Sequence, residues 1–130
     1  MRRLTPLTLT VLALACGTTE PTTDSVFATI EHPSYTTPST IGALITNHSS
    51  EKLFSNHCLL FQRLVDGAWT DATSAGPCPA LRAEIRAGTI SSAAGWLGPA
   101  APAGQYRGMT RVTSDAGDDL TLVTGPFALQ

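Results

Sequence analysis

Apolar and polar residues alternate in short runs from Val26 to the end of the chain, and residues typical of turns separate these runs. Side chains at successive positions of a strand point to opposite faces, so this alternation predicts strands with one buried face. No segment shows the 3.6-residue repeat of a long helix. The pattern predicts an all-β fold over residues 26–130, an antiparallel β-sandwich of about seven strands. The predicted strands cover residues 26–31, 40–46, 58–65, 81–87, 89–97, 106–113 and 120–129.

Turn residues mark where these strands end. Pro33 follows the first run, and proline cannot donate to a strand ladder. Residues 47–50 read Asn-His-Ser-Ser, whose side chains bond nearby backbone and favour a turn. Asp66-Gly67 is the strongest hairpin signal in the chain, because a two-residue turn of this kind matches the twist of paired strands.

One run alternates apolar and charged residues without a break. It places Leu81, Ala83 and Ile85 on one face and three charged residues on the other, namely Arg82, Glu84 and Arg86. The pattern predicts a strand whose apolar face is buried and whose charged face meets water.

Residues 1–15 have the pattern of a secretory signal peptide, with two arginines, an apolar stretch and small residues at its end. The apolar stretch is shorter than the about 20 residues that a membrane-spanning helix needs. Cys16 directly follows Ala15, and this segment resembles the lipobox of bacterial lipoproteins. The resemblance implies cleavage before Cys16, a lipid on its sulfur, and a tether over residues 16–25. Plain secretion is the alternative, because Ala13 and Ala15 also form a small-x-small cleavage site.

The lipobox places the expected location in the cell envelope, where the lipid at Cys16 inserts into the membrane. Gly17 does not resemble the aspartate that retains lipoproteins at the inner membrane, so an outer membrane is favoured where the cell has one. Loss of residues 1–15 removes two arginines and no acid, which changes the formal net charge from −2 to −4. Such a chain, with Lys52 as its one lysine, lacks the clustered positive charge that nucleic acid requires. The remaining residues have the length of one domain, which we expect to be a monomer.

Two cysteines remain once Cys16 is assigned to lipid. Cys58 and Cys78 form an even pair in an exported protein, where disulfides persist, and we predict that they are bonded. Closing a loop of this length stabilises a chain by about 3 kcal/mol.

The segment around Tyr106 carries a resemblance to a known fold. Residues 103–107 read Ala-Gly-Gln-Tyr-Arg after a proline-rich stretch, and they resemble the tyrosine corner of immunoglobulin-like sandwiches. In that corner the tyrosine ring is buried and its hydroxyl donates a hydrogen bond to nearby backbone. The chain is also similar in layout to some bacterial intracellular proteinase inhibitors, with an Asn-rich turn, a tryptophan after a hairpin and Gly-x-Tyr near the end. These resemblances imply an immunoglobulin-like fold, and the second raises proteinase inhibition as an alternative function.

Catalytic and metal sites find little support in the sequence. A copper site on a β-sandwich could use His57, Cys58 and Met109, but no histidine follows Cys58. The chain lacks the Gly-x-Ser-x-Gly elbow of hydrolases, and Ser91 and Ser92 have no histidine near them in sequence. The histidines are expected to be solvated residues in turns. We therefore predict no enzyme and no cofactor.

Two further motifs have simpler interpretations. Asp115, Asp118 and Asp119 supply oxygen atoms suited to calcium, but the spacing of a calcium loop is missing, so we expect a solvated acidic turn. The triplet at residues 47–49 matches a glycosylation acceptor, which we attribute to chance in a bacterial lipoprotein.

Trp69 and Trp96 are the residues most suited to recognition. Tryptophans in small domains usually pack in cores, and this is the favoured expectation for both residues. The expected function is a membrane-anchored binding or structural module without catalytic activity, whose partner is an envelope protein or a glycan. The alternatives are a proteinase-inhibitor-like domain and a small secreted enzyme.

Overall fold

The computed structural model describes residues 25–72 and 78–130, which contain ten strands. Seven of these strands have five or more residues, and β2, β4 and β7 have two or three. Within the described ranges, no helix is long and apolar enough to cross a membrane. The strands are β1 (Val26–Ile30), β2 (Ser34–Tyr35), β3 (Ser39–Asn47), β4 (Leu53–Ser55), β5 (Leu60–Val65), β6 (Ala68–Ala72), β7 (Ala83–Ile85), β8 (Ile90–Leu97), β9 (Gly104–Ser114) and β10 (Asp119–Leu129).

The strands form two open sheets packed face to face, which confirms the predicted all-β sandwich. The first sheet has the order β1-β3-β8, and all of its pairs are antiparallel. In the second sheet, β2, β10, β9, β5 and β6 are successive neighbours. The far part of β9 pairs instead with β4, and β4 pairs with β7. Only β2 runs parallel to its neighbour, β10, among the pairs of these named strands.

The core lies between the two sheets and consists of the inward-facing residues of each strand. One half of the core contains Phe127, whose ring is stacked on Tyr106 at a centroid distance of 5.9 Å and edge-on to Phe61 at 6.0 Å. A second group of buried residues fills the other half of the sandwich, around Ile45, Val112 and Leu122 among others. The alternation seen in the sequence is therefore the alternation between this core and solvent.

The sandwich has two ends, which differ in the loops that they carry. At the Ser25 end, the backbone carbonyl of Ser25 accepts a hydrogen bond from His48 N at 2.7 Å, and the turn between β9 and β10 lies beside it. The opposite end, here called the Pro99 end, carries residues 98–103, the Asp66-Gly67 turn and Gln130. The chain therefore enters the domain at one end and finishes at the other.

Asn47 closes the turn at the Ser25 end. Its side chain is fully buried, and Nδ2 donates to the carbonyls of Glu51, Ile85 and Arg86 at 2.9, 3.2 and 3.2 Å. Its Oδ1 accepts from Ser49 N at 3.1 Å, as the predicted turn requires. Because every polar atom of this side chain is used inside the fold, the glycosylation triplet has no accessible acceptor in the folded domain.

Residues 56–59 leave the second sheet and contact the first, which corrects the prediction of an unbroken strand over residues 58–65. Leu59 N donates to Ala94 O at 2.9 Å, and Ala94 N donates to His57 O at 3.1 Å. His57 has a positive φ of 57°, which lets the chain turn out of the sheet. We call residues 56–59 the crossing segment. The sequence prediction missed it because an apolar run does not reveal which sheet each residue joins.

The prediction of a one-sided strand over residues 81–87 is wrong for two of its three apolar positions. Ile85 is buried, but Ala83 is exposed and Leu81 is 86% exposed. Here β7 has only three residues and pairs with the short strand β4, so no partner covers the start of the run. Alternation predicted the direction of the side chains but not the extent of the sheet that covers them.

Candidate functional site

The predicted disulfide between Cys58 and Cys78 is confirmed, with Cα atoms 5.5 Å apart. Cys58 belongs to the crossing segment, so the bond ties this segment to the chain that precedes β7. A sulfur held in a disulfide provides no thiolate, and this removes the copper ligand set that includes Cys58.

The outward-facing side of the second sheet carries the most distinctive group of side chains, and we call it the outer face. Cross-strand pairs place Leu60 opposite Met109, Met109 opposite Val123, and Gln62 opposite Arg107. Leu60 and Val123 are 49% and 45% exposed. The outer face consists of Leu60, Gln62, Leu64, Trp69, Asp71, Arg107, Met109 and Val123.

A chain of contacts links the polar members of the outer face. The guanidinium carbon of Arg107 lies 4.6 Å from the ring centroid of Trp69, which is a cation–π stack. Arg107 Nε donates to Gln62 Oε1 at 2.8 Å, and Gln62 Nε2 donates to Asp71 Oδ1 at 3.1 Å. These contacts fix the orientation of the Arg107 and Trp69 side chains.

A depression of about 470 Å³ adjoins the outer face where the crossing segment has left β9. The disulfide, Leu60, Met109 and Arg111 line it. The crossing segment therefore shapes the surface as well as the core, since its departure opens a concave region next to the stacked pair.

The favoured expectation that both tryptophans pack in the core is wrong: they lie outside it, on opposite sides of the sandwich. Trp69 is half-buried under Arg107 on the outer face. Trp96 is 36% exposed on β8, where it pairs with the exposed Thr40 of the first sheet. A single partner that binds one face of the domain therefore contacts one tryptophan and not the other.

Tyr106 has the geometry that the corner resemblance implied. Its ring is fully buried, and its hydroxyl donates to Pro102 O at 2.6 Å. Burial raises the pKa of this phenol above its ordinary value of 10.0, and the positive charge of Arg63 acts in the opposite direction with a smaller effect. Tyr106 is therefore neutral at physiological pH and stabilises the corner as a hydrogen-bond donor.

We expect the domain to lose stability at alkaline pH through Tyr106. In the unfolded chain a tyrosine loses its proton near pH 10, while the raised pKa keeps the folded Tyr106 protonated. The stabilisation is complete below the unfolded pKa and is lost as the pH rises through the folded pKa. Urea unfolding between pH 8 and 11 measures this slope, with Tyr106→Phe as the control. An equal slope in the Phe variant contradicts the assignment to Tyr106.

His57 and Ser91 form a pair that the sequence did not bring together. His57 Nε2 and Ser91 Oγ are 2.7 Å apart, so His57 is not the solvated turn histidine that we expected. In the described residues no carboxylate is hydrogen-bonded to His57, and neither residue lines the depression on the outer face. The pair lacks the third group that orients the base of a catalytic triad, and it connects the crossing segment to β8.

The acidic turn between β9 and β10 is occupied by contacts with protein groups. Asp115 pairs with Lys52 at 3.6 Å, and Asp119 Oδ1 accepts from Thr113 Oγ1 at 2.7 Å. Across residues 25–72 and 78–130, no three residues of the types His, Cys, Asp and Glu form a group suited to a metal ion.

Comparisons with known proteins give a likeness to solved structures. No protein-family model matches the chain, and no curated protein matches it. Among solved structures, the chain is similar to the "X-ray structure of Northeast Structural Genomics Consortium target SoR45". The two chains are 15% identical with a TM-score of 0.48, and the match covers 82% of this chain and 86% of the other.

Proposed function

We propose that this chain is a lipid-anchored binding domain of the bacterial cell envelope, without catalytic activity, and that its outer face binds another envelope protein. The stacked Trp69–Arg107 pair carries this proposal, because tryptophan and arginine are the residue types that contribute most to protein interfaces. The pair is held in place by Gln62 and flanked by the exposed apolar residues Leu60 and Val123.

The geometry favours a protein over a glycan as the partner. Sugars bind aromatic residues through the open face of a ring, and Arg107 covers one face of Trp69. Leu60, Leu64 and Val123 are 49%, 38% and 45% exposed, and they surround the pair with apolar surface. Exposed apolar side chains beside a preorganised Trp–Arg pair are typical of the centre of a protein interface, whose rim is polar.

The anchor rests on the sequence, since Cys16 lies outside the described residues. The resemblance to a lipobox supports a lipid at Cys16, and the described chain begins at Ser25, at one end of the sandwich. In the proposed arrangement the Ser25 end faces the membrane and the Pro99 end faces away from it. The outer face runs along the side of the domain between the two ends, where a neighbouring envelope protein has access.

The experiment is capture of partners from envelope extract with the full-length lipidated chain, tagged after Gln130. We expect the double variant Trp69→Ala, Arg107→Ala to recover at least about tenfold less of one specific protein, because each side chain is expected to contribute about 1 kcal/mol or more. Trp96→Ala is the matched control, since it removes a tryptophan from the opposite sheet. Cys16→Ser tests the anchor, and we expect it to move the chain into the soluble fraction.

Four results contradict the proposal. Loss of the partner with Trp96→Ala but not with the double variant places the interface on the first sheet. Equal recovery by all variants shows that the outer face does not bind. Continued membrane retention of Cys16→Ser rejects the lipid anchor, and capture of a protease that the chain inhibits supports the inhibitor alternative instead.

A further inference from the structure

A second concave site lies at the Pro99 end, and Asp71 is the one residue that it shares with the outer face. It is a cleft of about 520 Å³ between the β5–β6 hairpin and residues 98–102. Cavities of this size are within the range that holds small molecules. Its walls are mostly apolar, with Val65, Leu97, Pro99 and Ala101 around the edge and the buried Tyr106 behind them.

Arg63 brings a positive charge into this apolar cleft. It is half-buried, and its Nη2 donates to Ala103 O at 3.1 Å. Its Nε is buried and has no hydrogen-bond partner in the structure. A guanidinium has five N–H groups, so most of its donors have no protein acceptor.

Glycine at position 104 leaves room for this side chain. Gly104 has a φ of 150°, and a Cβ atom at this position would lie 3.3 Å from Arg63 Nε. The absence of a side chain lets the guanidinium lie against the backbone of the corner.

No negative charge of the described chain neutralises Arg63. The described residues contain one ion pair, Lys52–Asp115, at the opposite end of the domain. Tyr106 is protonated and donates to Pro102 O. Asp71 lines the cleft, but its carboxylate accepts from Gln62 and lies beyond 4 Å from the guanidinium. A half-buried guanidinium that has no carboxylate partner within the protein is suited to bind the carboxylate of a ligand. The attraction between guanidinium and carboxylate is strong where the dielectric constant is low.

We propose that the cleft at the Pro99 end binds a carboxylate attached to a compact apolar group, with Arg63 as the ligand for the carboxylate. The carboxylate pairs with the accessible terminal N–H groups of the Arg63 guanidinium, and the apolar group packs on Val65, Leu97 and Pro99. Two sources have this chemistry, the C-terminal residue of a peptide and a free short-chain acid. The site is independent of the outer face, so its failure leaves the proposed protein interface intact.

Titration followed by NMR tests the site in the folded domain. The probes are N-acetyl-alanyl-valine with a free carboxylate, the same peptide as its C-terminal amide, and isovalerate. We expect the acid to shift the Arg63 Nε–H resonance and to bind at least tenfold more tightly than the amide. Tighter binding of the peptide acid than of isovalerate assigns the ligand to peptide C-termini, and the reverse assigns it to short-chain acids.

Variants then link the binding to Arg63. We expect Arg63→Gln to weaken acid binding at least tenfold and Arg63→Lys to weaken it less, since lysine keeps the charge but loses the planar pair of donors. Asp71→Asn serves as the opposite control, because removal of the negative charge at the rim should strengthen binding about twofold. Equal binding of acid and amide by the wild-type domain overturns the proposal. No saturable binding of either acid overturns it as well, and neither result depends on the folding of a variant.

Discussion

Gly95→Ala is expected to lower the free energy of unfolding by about 3 kcal/mol, at the upper end of the usual cost of overpacking. Gly95 lies on β8 directly beneath the crossing segment. A Cβ atom at this position would collide with the backbone carbonyl of Leu59 and come within 2.7 Å of the Phe61 ring. The backbone cannot yield without breaking the hydrogen bond between Leu59 N and Ala94 O.

Gly125→Ala is the matched control for this change. Gly125 is an exposed strand residue, and a Cβ atom there meets nothing within 4 Å. We expect its free energy of unfolding to stay within about 1 kcal/mol of wild type, because alanine only restricts the unfolded chain. Chemical denaturation of the two variants measures the difference. Equal stabilities contradict the close approach of the crossing segment to β8.

Loss of the disulfide is expected to cost about 3 kcal/mol, whether by reduction or in the double variant Cys58→Ser, Cys78→Ser. The bond closes a loop with a sequence separation of 20 residues, and opening it increases the entropy of the unfolded chain. Loss of the bond also releases the crossing segment from the chain that precedes β7. Thermal unfolding with and without reductant measures the effect.

In a Cys16→Ser background Cys58 and Cys78 are the two remaining cysteines, so the thiol count reports on this pair alone. In this background we expect two thiols to become titratable as the melting temperature falls. Two titratable thiols before reduction, together with an unchanged melting temperature, contradict the bond. The single variant Cys78→Ser distinguishes the cross-link from the local packing of Cys58, since it opens the bond and leaves the Cys58 side chain in place.

The strands with a regular alternation were predictable because burial on one face imposes a period of two. Residues 40–46 and 106–113 were predicted as strands, and the structure extends β3 and β9 by one to two residues beyond them. The Asp66-Gly67 hairpin was also predictable, since both residues adopt the positive φ angles, 50° and 79°, that such a turn requires. Both features, the strand alternation and the hairpin turn, depend on residues within a single segment of the sequence.

The failures of the sequence prediction arose where distant parts of the chain decide the outcome. Leu81 is exposed because β7 is short, and nothing in its own segment reveals how long β4 is. His57 meets Ser91 because the crossing segment changes sheets, which depends on the space above Gly95. Neither the exposure of Leu81 nor the contact between His57 and Ser91 has a signal in its own segment of the sequence.

The outer face was partly accessible from the sequence. The two-residue turn at Asp66-Gly67 fixes the register of β5 and β6, so Leu64 lies opposite Trp69 and Gln62 opposite Asp71. The pairing of Gln62 with Arg107 needed the fold, since 45 residues separate them. The sequence alone therefore offered Trp69 as a candidate recognition residue, whereas its contact with Arg107 became visible only in the fold.

Site-specific photo-crosslinking tests the central claim, that the outer face binds an envelope protein. A photoreactive residue replaces either Val123 on the outer face or Leu44 on the first sheet. Both are apolar residues, 45% and 38% exposed, and they lie on different sheets. After irradiation of intact cells, we expect Val123 to give one discrete cross-linked protein that disappears in the Trp69→Ala, Arg107→Ala background, and Leu44 to give none. A cross-link from Leu44 alone, or none from either position, contradicts the account.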